Sequence, residues 1–251
     1  MKKLMFILML SSLFYSVSIC QEADLMAQAD SLAAVWNHQA AADMYLQIIA
    51  QDSTNYEALW KAGEQITEVA NQLPEKQKDE KEAYFEQARE LCEKAILVNP
   101  DGWQGHFRLS VALGRLALFR GGKEKINLSK AVKASADQAL ALNPNADLAH
   151  HVLGRWHQNL ANLSWALKMA AKVIYGGVPP GSNEEAVAHF KKAIEINPNH
   201  IEHYLELAKT YKYMDKKELM KEPLEKALSL PNVEENDPEF KEEAKELLKK
   251  I

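Results

Sequence analysis

Glycine and proline are scarce in this sequence, with 10 Gly and 9 Pro among 251 residues. All-β proteins use these two residue types at their many turns, so the shortage argues against a sheet protein. Alanine, leucine, glutamate and lysine are abundant instead, and all four have high helix propensity. At 47% hydrophobic residues, the chain has enough apolar side chains to form a globular core. The composition therefore predicts an all-α protein.

Positive charge is also in short supply. The 30 Lys and Arg residues face 35 Asp and Glu residues, which gives a formal net charge of −5. This balance excludes a generally basic surface, so we expect no nucleic-acid partner. The sequence also lacks the His-Glu-x-x-His, Gly-x-Ser-x-Gly, phosphate-loop and dinucleotide-binding motifs. We therefore predict no catalytic residues, no cofactor and no enzymatic activity.

Five histidines occur in two short clusters, at positions 150, 151, 157, 200 and 203. One interpretation is a set of metal ligands. On one helix His150 and His157 share a face, whereas His151 points about 100° away. Core or groove histidines explain the spacing better, and we predict no metal site.

The first twenty residues have the layout of a secretory signal peptide. Lys2 and Lys3 precede an apolar run that ends at Ile19, and the small residue Cys20 precedes a cleavage point before Gln21. We expect cleavage and export to the periplasm or the outside of a bacterial cell. The alternatives are an uncleaved anchor and a lipoprotein modified at Cys20. No later apolar run is long enough to span a membrane, so we expect the mature chain not to do so.

After cleavage Cys92 is the one remaining cysteine, so the mature chain has no internal disulfide. Cys92 lies on the apolar stripe of a helical pattern. We therefore expect a buried thiol that acts as a small hydrophobic side chain.

An internal repeat organises the rest of the chain. The pattern Ala-x-x-x-Asn-Pro ends apolar-periodic helices at 95–100, 139–144 and 193–198, and a shorter copy ends at Pro231. A small residue, a large one four positions later and a small one three later precede the proline, as in Ala186, Phe190, Ala193 and Pro198. This spacing resembles the tetratricopeptide repeat, in which small residues let two helices approach closely. Capping-box spacing marks the starts of several helices, at Thr54 with Glu57, Asp101 with Gln104, Ser182 with Glu185, and Asn199 with Glu202.

The fold class predicted from these repeats is all-α: a tetratricopeptide-like right-handed superhelix of about five helical hairpins with a C-terminal capping helix. One domain, 21–251, follows the signal peptide, 1–20. It divides into units 22–55, 56–102, 103–146, 147–200 and 201–235, and a cap at 236–251.

The fourth unit carries the longest insertion, residues 164–183. Its first part, 165–175, is predicted to form an extra apolar helix, and the segment Gly176–Gly181 to form a broken turn. Its apolar side chains are too many to stay in water. We expect them to cover the repeat array itself. The alternative is that they close the end of the groove or bind a partner.

From His150 onward the sequence resembles the regulator of microtubule dynamics family. The matching residues are His151-x-Leu153-Gly154-x-Trp156, Ala161–Trp165, Pro179–Ser182, Glu185-Ala186, Phe190-x-Lys192-Ala193, Asn197–Asn199 and Leu207–Tyr211. The resemblance implies a divergent tetratricopeptide-like domain, and it implies association with microtubules, spindle poles or organelle membranes in eukaryotic members. An exported bacterial protein has no tubulin partner, so the fold carries over more safely than the partner does.

The concave surface of such a repeat array is lined by the first helix of each unit. The lining positions, about 2, 5, 9, 12 and 13, combine an acidic first half with a basic second half. We predict that this groove binds a protein or peptide, through an acidic segment or a terminal carboxylate. Charge reversal of Arg155 and Lys209 is expected to abolish capture and leave the melting temperature unchanged. The predicted binding residues are Trp60, Phe107, Arg115, His151, Arg155, Gln158, Asn159, Lys209, Lys212 and Tyr213.

A non-enzymatic interaction scaffold is the function that fits these observations best. Two alternatives stay open at this point: a cytoskeleton-associated protein, by family resemblance, and an envelope enzyme or enzyme accessory subunit that uses the histidines and carboxylates.

Overall fold

The structure is a computed structural model that describes residues 23–251, and the predicted signal peptide lies outside this range. Over the described residues the chain forms twelve α-helices, one short 3-10 turn and no strand. We number the helices in chain order: α1 (residues 23–34), α2 (His38–Gln51), α3 (Tyr56–Gln72), α4 (Lys78–Val98), α5 (Trp103–Leu116), α6 (Gly122–Leu142), α7 (Asp147–Ala161), α8 (Trp165–Tyr175), α9 (Asn183–Ile196), α10 (Ile201–Tyr213), α11 (Lys221–Ser229) and α12 (Asp237–Leu248).

The helices belong to two compact units, one that ends at Pro100 and one that covers Asp101–Ile251. In the first unit α2 packs on α3 and α3 on α4, and side chains of α1 join the same core. In the second unit α5 pairs with α6, α7 with α9 and α10 with α11, while α12 packs on α10 and α11. The helices lie within the predicted repeat limits. The limits of the domain and its repeats themselves stay predictions.

Small residues bring the paired helices close together, as the repeat pattern predicts. A Cβ atom on Gly154 of α7 would lie 2.6 Å from the ring of Phe190 on α9, and that ring is fully buried. A Cβ atom on Gly63 of α3 would lie 2.7 Å from the Sγ of Cys92 on α4. Burial of Cys92 as a small hydrophobic residue is thus confirmed. Close approach buries Ala88, Ala95, Ala186 and Ala193 completely, which maximises dispersion contacts between the helices.

Helix starts follow the predicted capping pattern only in part. Ser182 accepts a hydrogen bond from the backbone N–H of Glu185 and caps α9 as expected. At α3 the capping side chain is Asn55, which accepts from Ala58 N, and not Thr54. The caps of α5 and α10 are Gly102 and His200, neither of which makes a side-chain capping bond.

The insertion of the fourth unit forms α8 and a glycine-proline loop, with the bounds that the sequence predicts. Gly176 and Gly177 have positive φ angles of 81° and 110°, which glycine adopts without strain and which end the helix. The expectation that this helix covers the repeat array is wrong, because none of its residues is buried. No helix in the described part of the chain has the length and apolar character needed to cross a bilayer.

Candidate peptide-binding face and histidine cluster

The first helices of three successive units, α5, α7 and α10, lie side by side in the second compact unit. We call the surface that they form the first-helix face. Trp103, Asp147 and Ile201 begin these helices, so residues at equal distances from them occupy equivalent places on the face. These equivalent places differ sharply in exposure, and the difference decides which of the predicted binding residues reach solvent.

The fifth positions are inside the protein. Phe107 is 4% exposed and His151 is 7% exposed, and Leu205 is buried in the same way. Gln158 is also buried, and its side-chain amide donates hydrogen bonds to the backbone oxygen of Glu206 and to Thr210 Oγ1. Burial therefore removes Phe107, His151 and Gln158 from the surface, because the neighbouring first helix covers them.

The ninth positions carry the two cations that the predicted acidic ligand was expected to meet. Arg155 Nη1 lies 3.1 Å from a carboxylate oxygen of Glu202 and 3.1 Å from one of Glu206. Lys209 Nζ lies 3.0 Å from the same Glu206 oxygen and 2.9 Å from Glu243 on α12. Both cations thus already have carboxylate partners on this chain. Charge reversal at Arg155 and Lys209 would break these pairs and lower the stability of the protein. The expectation that it leaves the melting temperature unchanged is therefore not supported, and the substitution would not test binding separately from stability.

The thirteenth positions are open. Arg115 of α5, Asn159 of α7 and Tyr213 of α10 are all exposed, and so is Lys212 beside Tyr213. These side chains supply a guanidinium, an amide, a phenol and an ammonium group on neighbouring helices. All four donate hydrogen bonds, which suits carboxylate and peptide-carbonyl acceptors.

Trp60, the remaining predicted binding residue, belongs to the first compact unit. It is partly exposed on α3, and Lys61 Nζ lies 5.6 Å from the centroid of its ring. Lys61 also forms ion pairs with Asp30 and Glu57 at 2.7 Å each.

A hydrogen-bonded chain of buried polar groups joins α7 to α10. His203 Nε2 lies 3.3 Å from the carboxylate of Asp147, so this nitrogen carries the proton and donates. The two Nδ1 atoms of His151 and His203 are 2.9 Å apart, and His151 is the donor of this pair when His203 is neutral. His151 Nε2 faces Glu202 at 3.5 Å.

The surroundings of these groups shift their pKa values in opposite directions. Burial lowers the pKa of His203 to about 4, although the bond to Asp147 opposes this change. Burial alone would raise the pKa of Asp147, but hydrogen bonds from His203 and Asn197 outweigh it and lower the pKa to about 2. Burial likewise opposes ionisation of Glu202, but His151 and Arg155 lower its pKa well below the usual range. The cluster therefore keeps its carboxylates charged and His203 neutral.

Two further histidine contacts surround this chain. His200 Nδ1 lies 2.9 Å from Glu234, and this bond raises the pKa of His200 against the effect of burial. His150 and His157, which share a face of α7 as predicted, both meet His189 of α9, at ring-centroid distances of 5.4 Å and 5.7 Å. Burial and the two neighbouring rings lower the pKa of His189 to about 4. Among the described residues no group of three or more His, Cys, Asp or Glu side chains is arranged to hold a metal ion.

Local spacing did not identify several members of these networks, among them Asp147, His189, Glu206, Glu234 and Glu243. For Glu206 a signal was present, since the spacing of Glu202, Glu206 and Lys209 puts all three on one face of α10. Its pairing with Arg155, 51 residues away, was beyond reach of local spacing.

A cleft of about 390 Å³ separates α8 from the loop that follows it. Its walls are Leu160 of α7, the side chains of Lys168 and Lys172, and residues Gly176–Gly181. Lys168 Nζ donates to the backbone oxygen of Ala161 at the end of α7, where the carbonyl groups of a helix are unpaired.

Comparison with known proteins adds two findings. A family model described as "Regulator of microtubule dynamics protein 1-3" matches residues 25–251. Regulator of microtubule dynamics protein 1 from Mus musculus is 27% identical over 226 residues, which cover 90% of this chain and 73% of the relative. The protein of the same name from Caenorhabditis elegans is 38% identical over 128 residues, or 51% of this chain and 57% of the relative.

The second finding concerns the fold. The crystal structure of a thermophilic TPR protein from Thermus thermophilus superimposes with a TM-score of 0.67, at 17% identity, over 90% of this chain and 98% of that one. A sequence identity of 17% supports a shared fold and no further shared property. The predicted fold class, an all-α tetratricopeptide-like helical repeat, is confirmed.

Proposed function

Because the chain belongs to the regulator of microtubule dynamics family and has a tetratricopeptide-like fold, we propose that it is a non-enzymatic scaffold that binds a protein or peptide partner. The partner lies across the first-helix face of the second compact unit. It presents acidic side chains to Arg115 and Lys212, and main-chain groups to Asn159 and Tyr213.

One observation carries this proposal. Of the predicted contacts on α5, α7 and α10, those at the end of each helix are exposed, while the others are buried or already form ion pairs with carboxylates of this chain. A binding surface needs side chains that exchange water for ligand without first losing an internal partner, because a broken internal pair subtracts from the affinity. Within the part of the chain that the structure describes, Arg115, Asn159, Lys212 and Tyr213 meet this condition.

The binding test uses a fluorescein-labelled peptide of twelve residues that alternates Asp or Glu with Ala, and a matched peptide with Lys in place of the acidic residues. We expect anisotropy to rise with the acidic peptide only. Arg115→Gln combined with Lys212→Gln should weaken binding at least tenfold, since each side chain donates a charge-assisted hydrogen bond.

Lys130→Gln is the matched control, because Lys130 is an exposed lysine on α6, a second helix outside the first-helix face. It should leave the affinity and the melting temperature unchanged. Equal affinity for the two peptides, or an unchanged affinity in the double variant, would refute the proposed surface.

The histidine cluster does not favour the enzymatic alternative. His151 and His203 are buried, and each ring nitrogen already has a partner within the cluster. A general acid or base needs a substrate atom within hydrogen-bond reach. The His151–His203 pair therefore acts as a packing and charge-pairing element between α7 and α10.

The names of the relatives support a second candidate, a role in regulating microtubules. Co-sedimentation with polymerised tubulin tests it. Pelleting with the polymer that saturates as tubulin is increased would support this role, and recovery in the supernatant at every tubulin concentration would exclude it.

Export by cleavage before Gln21 remains our proposal for localisation, and it predicts a secreted chain whose N-terminal residue is Gln21 by mass spectrometry.

A further inference from the structure

The helix α8 has an outer face that is entirely apolar. Successive residues of an α-helix are about 100° apart, and the less exposed Lys168 and Ala171 mark the side that faces the protein. The opposite arc, roughly 200° wide, carries no ionisable or hydrogen-bonding group apart from the indole N–H at its edge. We call it the α8 outer face, and it consists of Trp165, Ala166, Leu167, Met169, Ala170, Val173 and Ile174.

These side chains are exposed to an extent that is unusual for residues of this type. Trp165 is 77% exposed, Val173 80%, Ile174 65% and Leu167 59%. Together the α8 outer face leaves on the order of 600 Å² of apolar surface in water, at the upper end of the largest patch on a typical monomer. An apolar helix face of this width normally packs against another surface.

We propose that the α8 outer face is a homodimer interface, in which it packs against the same face of a second copy of this chain. Standard protein interfaces bury about 800 Å² on each partner, so the patch supplies most of the area that one side of such a dimer needs. This inference is independent of the proposed peptide-binding face, which lies on α5, α7 and α10.

The shape of the face favours a second copy. Ala166 and Ala170, one helical turn apart, form a shallow seam, and larger side chains stand on both sides of it: Trp165 and Met169 on one, Leu167 and Ile174 on the other. Seams of small residues let helices approach closely, and the larger side chains of each copy then fill the groove beside the seam of the other. A two-fold axis through the seam satisfies both copies at once.

The charges favour a second copy over a bilayer. The chain has a formal net charge of −5, which opposes approach to an anionic membrane, and α8 contributes only Lys168 and Lys172. Polybasic membrane sites use about four to eight cations. Across a dimer interface, by contrast, the outer arc brings no like charges together, because both lysines lie toward the cleft.

The first test is sedimentation velocity on the full chain over a range of concentrations. We expect a monomer–dimer equilibrium, and we expect Ile174→Glu to weaken it at least a hundredfold, because each dimer then places two carboxylates in an apolar interface. Leu97→Glu on α4 is the matched control, since Leu97 is an exposed leucine outside the α8 outer face, and it should dimerise like the parent chain.

A second test does not depend on destabilisation. In a Cys20→Ser background, Ala170→Cys should form a disulfide-linked dimer under mild oxidation, because two-fold packing brings the two seams within disulfide distance. Leu97→Cys should not form it, and Cys92 is buried.

Several results would overturn the proposal. They are a monomer at every concentration, a dimer that survives Ile174→Glu, a failure of Ala170→Cys to cross-link faster than Leu97→Cys, and flotation of a monomer with vesicles of phosphatidylcholine and phosphatidylglycerol that Ile174→Glu abolishes. The acidic-peptide titration on Ile174→Glu separates the two proposals, because loss of the dimer should leave that affinity unchanged.

Discussion

Replacing Glu206 with glutamine tests whether the ion pairs between α7, α10 and α12 stabilise the second compact unit. The Glu206 side chain is 2% exposed, and one of its oxygens accepts from both Arg155 and Lys209. Glutamine keeps the shape and one acceptor oxygen, so the change removes the negative charge and leaves the packing intact. The two charge-assisted hydrogen bonds then become weaker neutral ones.

The loss of stability depends on which carboxylate partners Arg155 and Lys209 retain after the substitution. Breaking a buried ion pair outright costs about 3–5 kcal/mol. Here Arg155 is 41% exposed and retains Glu202, while Lys209 is 25% exposed and retains Glu243. Solvent and the remaining carboxylates reduce the loss. We therefore expect Glu206→Gln to lower the free energy of unfolding by about 2 kcal/mol, and to lower the melting temperature by about 4–8 °C.

Urea and thermal unfolding followed by far-ultraviolet circular dichroism measure this change. The control is Glu195→Gln, because Glu195 is 70% exposed and, among residues 23–251, forms an ion pair with Lys192 on the same helix. It should leave both midpoints unchanged. A Glu206→Gln chain as stable as the parent, or an equal loss in the control, would refute the argument that burial gives this pairing its value.

Two further predictions concern packing and pH. Gly154→Ala should destabilise the protein by about 1–3 kcal/mol because the new Cβ would overlap the buried ring of Phe190. Gly114→Ala should instead stabilise it by up to about 1 kcal/mol, because the nearest side-chain atom is 4.0 Å away. Chemical denaturation should show changes in the free energy of unfolding of opposite sign for the two variants, and the same sign in both would contradict the packing account. His189 and His203 have pKa values of about 4 in the folded protein, below the ordinary value of 6.5. Between these two pH values the unfolded chain therefore binds more protons than the folded protein does. Stability is then lost as the pH falls through that window, by up to about 3 kcal/mol per site, and urea midpoints that stay constant across it would disprove the shifts.

Much of the fold could be predicted because it depends on local spacing. The small residues that recur in each hairpin identify the pairs of helices, and Gly154 against Phe190 shows why the spacing is needed. The bounds of α8 followed from an apolar run between Ser164 and Gly176. Local spacing does not identify every capping residue, since adjacent residues such as Thr54 and Asn55 are both good caps and the backbone conformation selects one.

The binding face was harder to predict, because a repeat position indicates on which side of its helix a side chain lies but not whether a neighbouring helix buries it. Counting along α7 placed His151, Arg155 and Gln158 on the correct side of the helix. It gave no information on what α10 contributes, and α10 buries two of them and pairs the third with carboxylates.

The sequence by itself determined the helices, their pairing and the tetratricopeptide-like class, because 3.6-residue periodicity and small-residue seams act between segments that are close along the chain. Only the tertiary structure decided which polar groups meet. Asp147 with His203 and Arg155 with Glu206 are separated by 56 and 51 residues, and their burial depends on the neighbouring helix. The tertiary structure likewise left α8 uncovered, since the exposure of a helix depends on which surfaces pack against it as well as on its own composition.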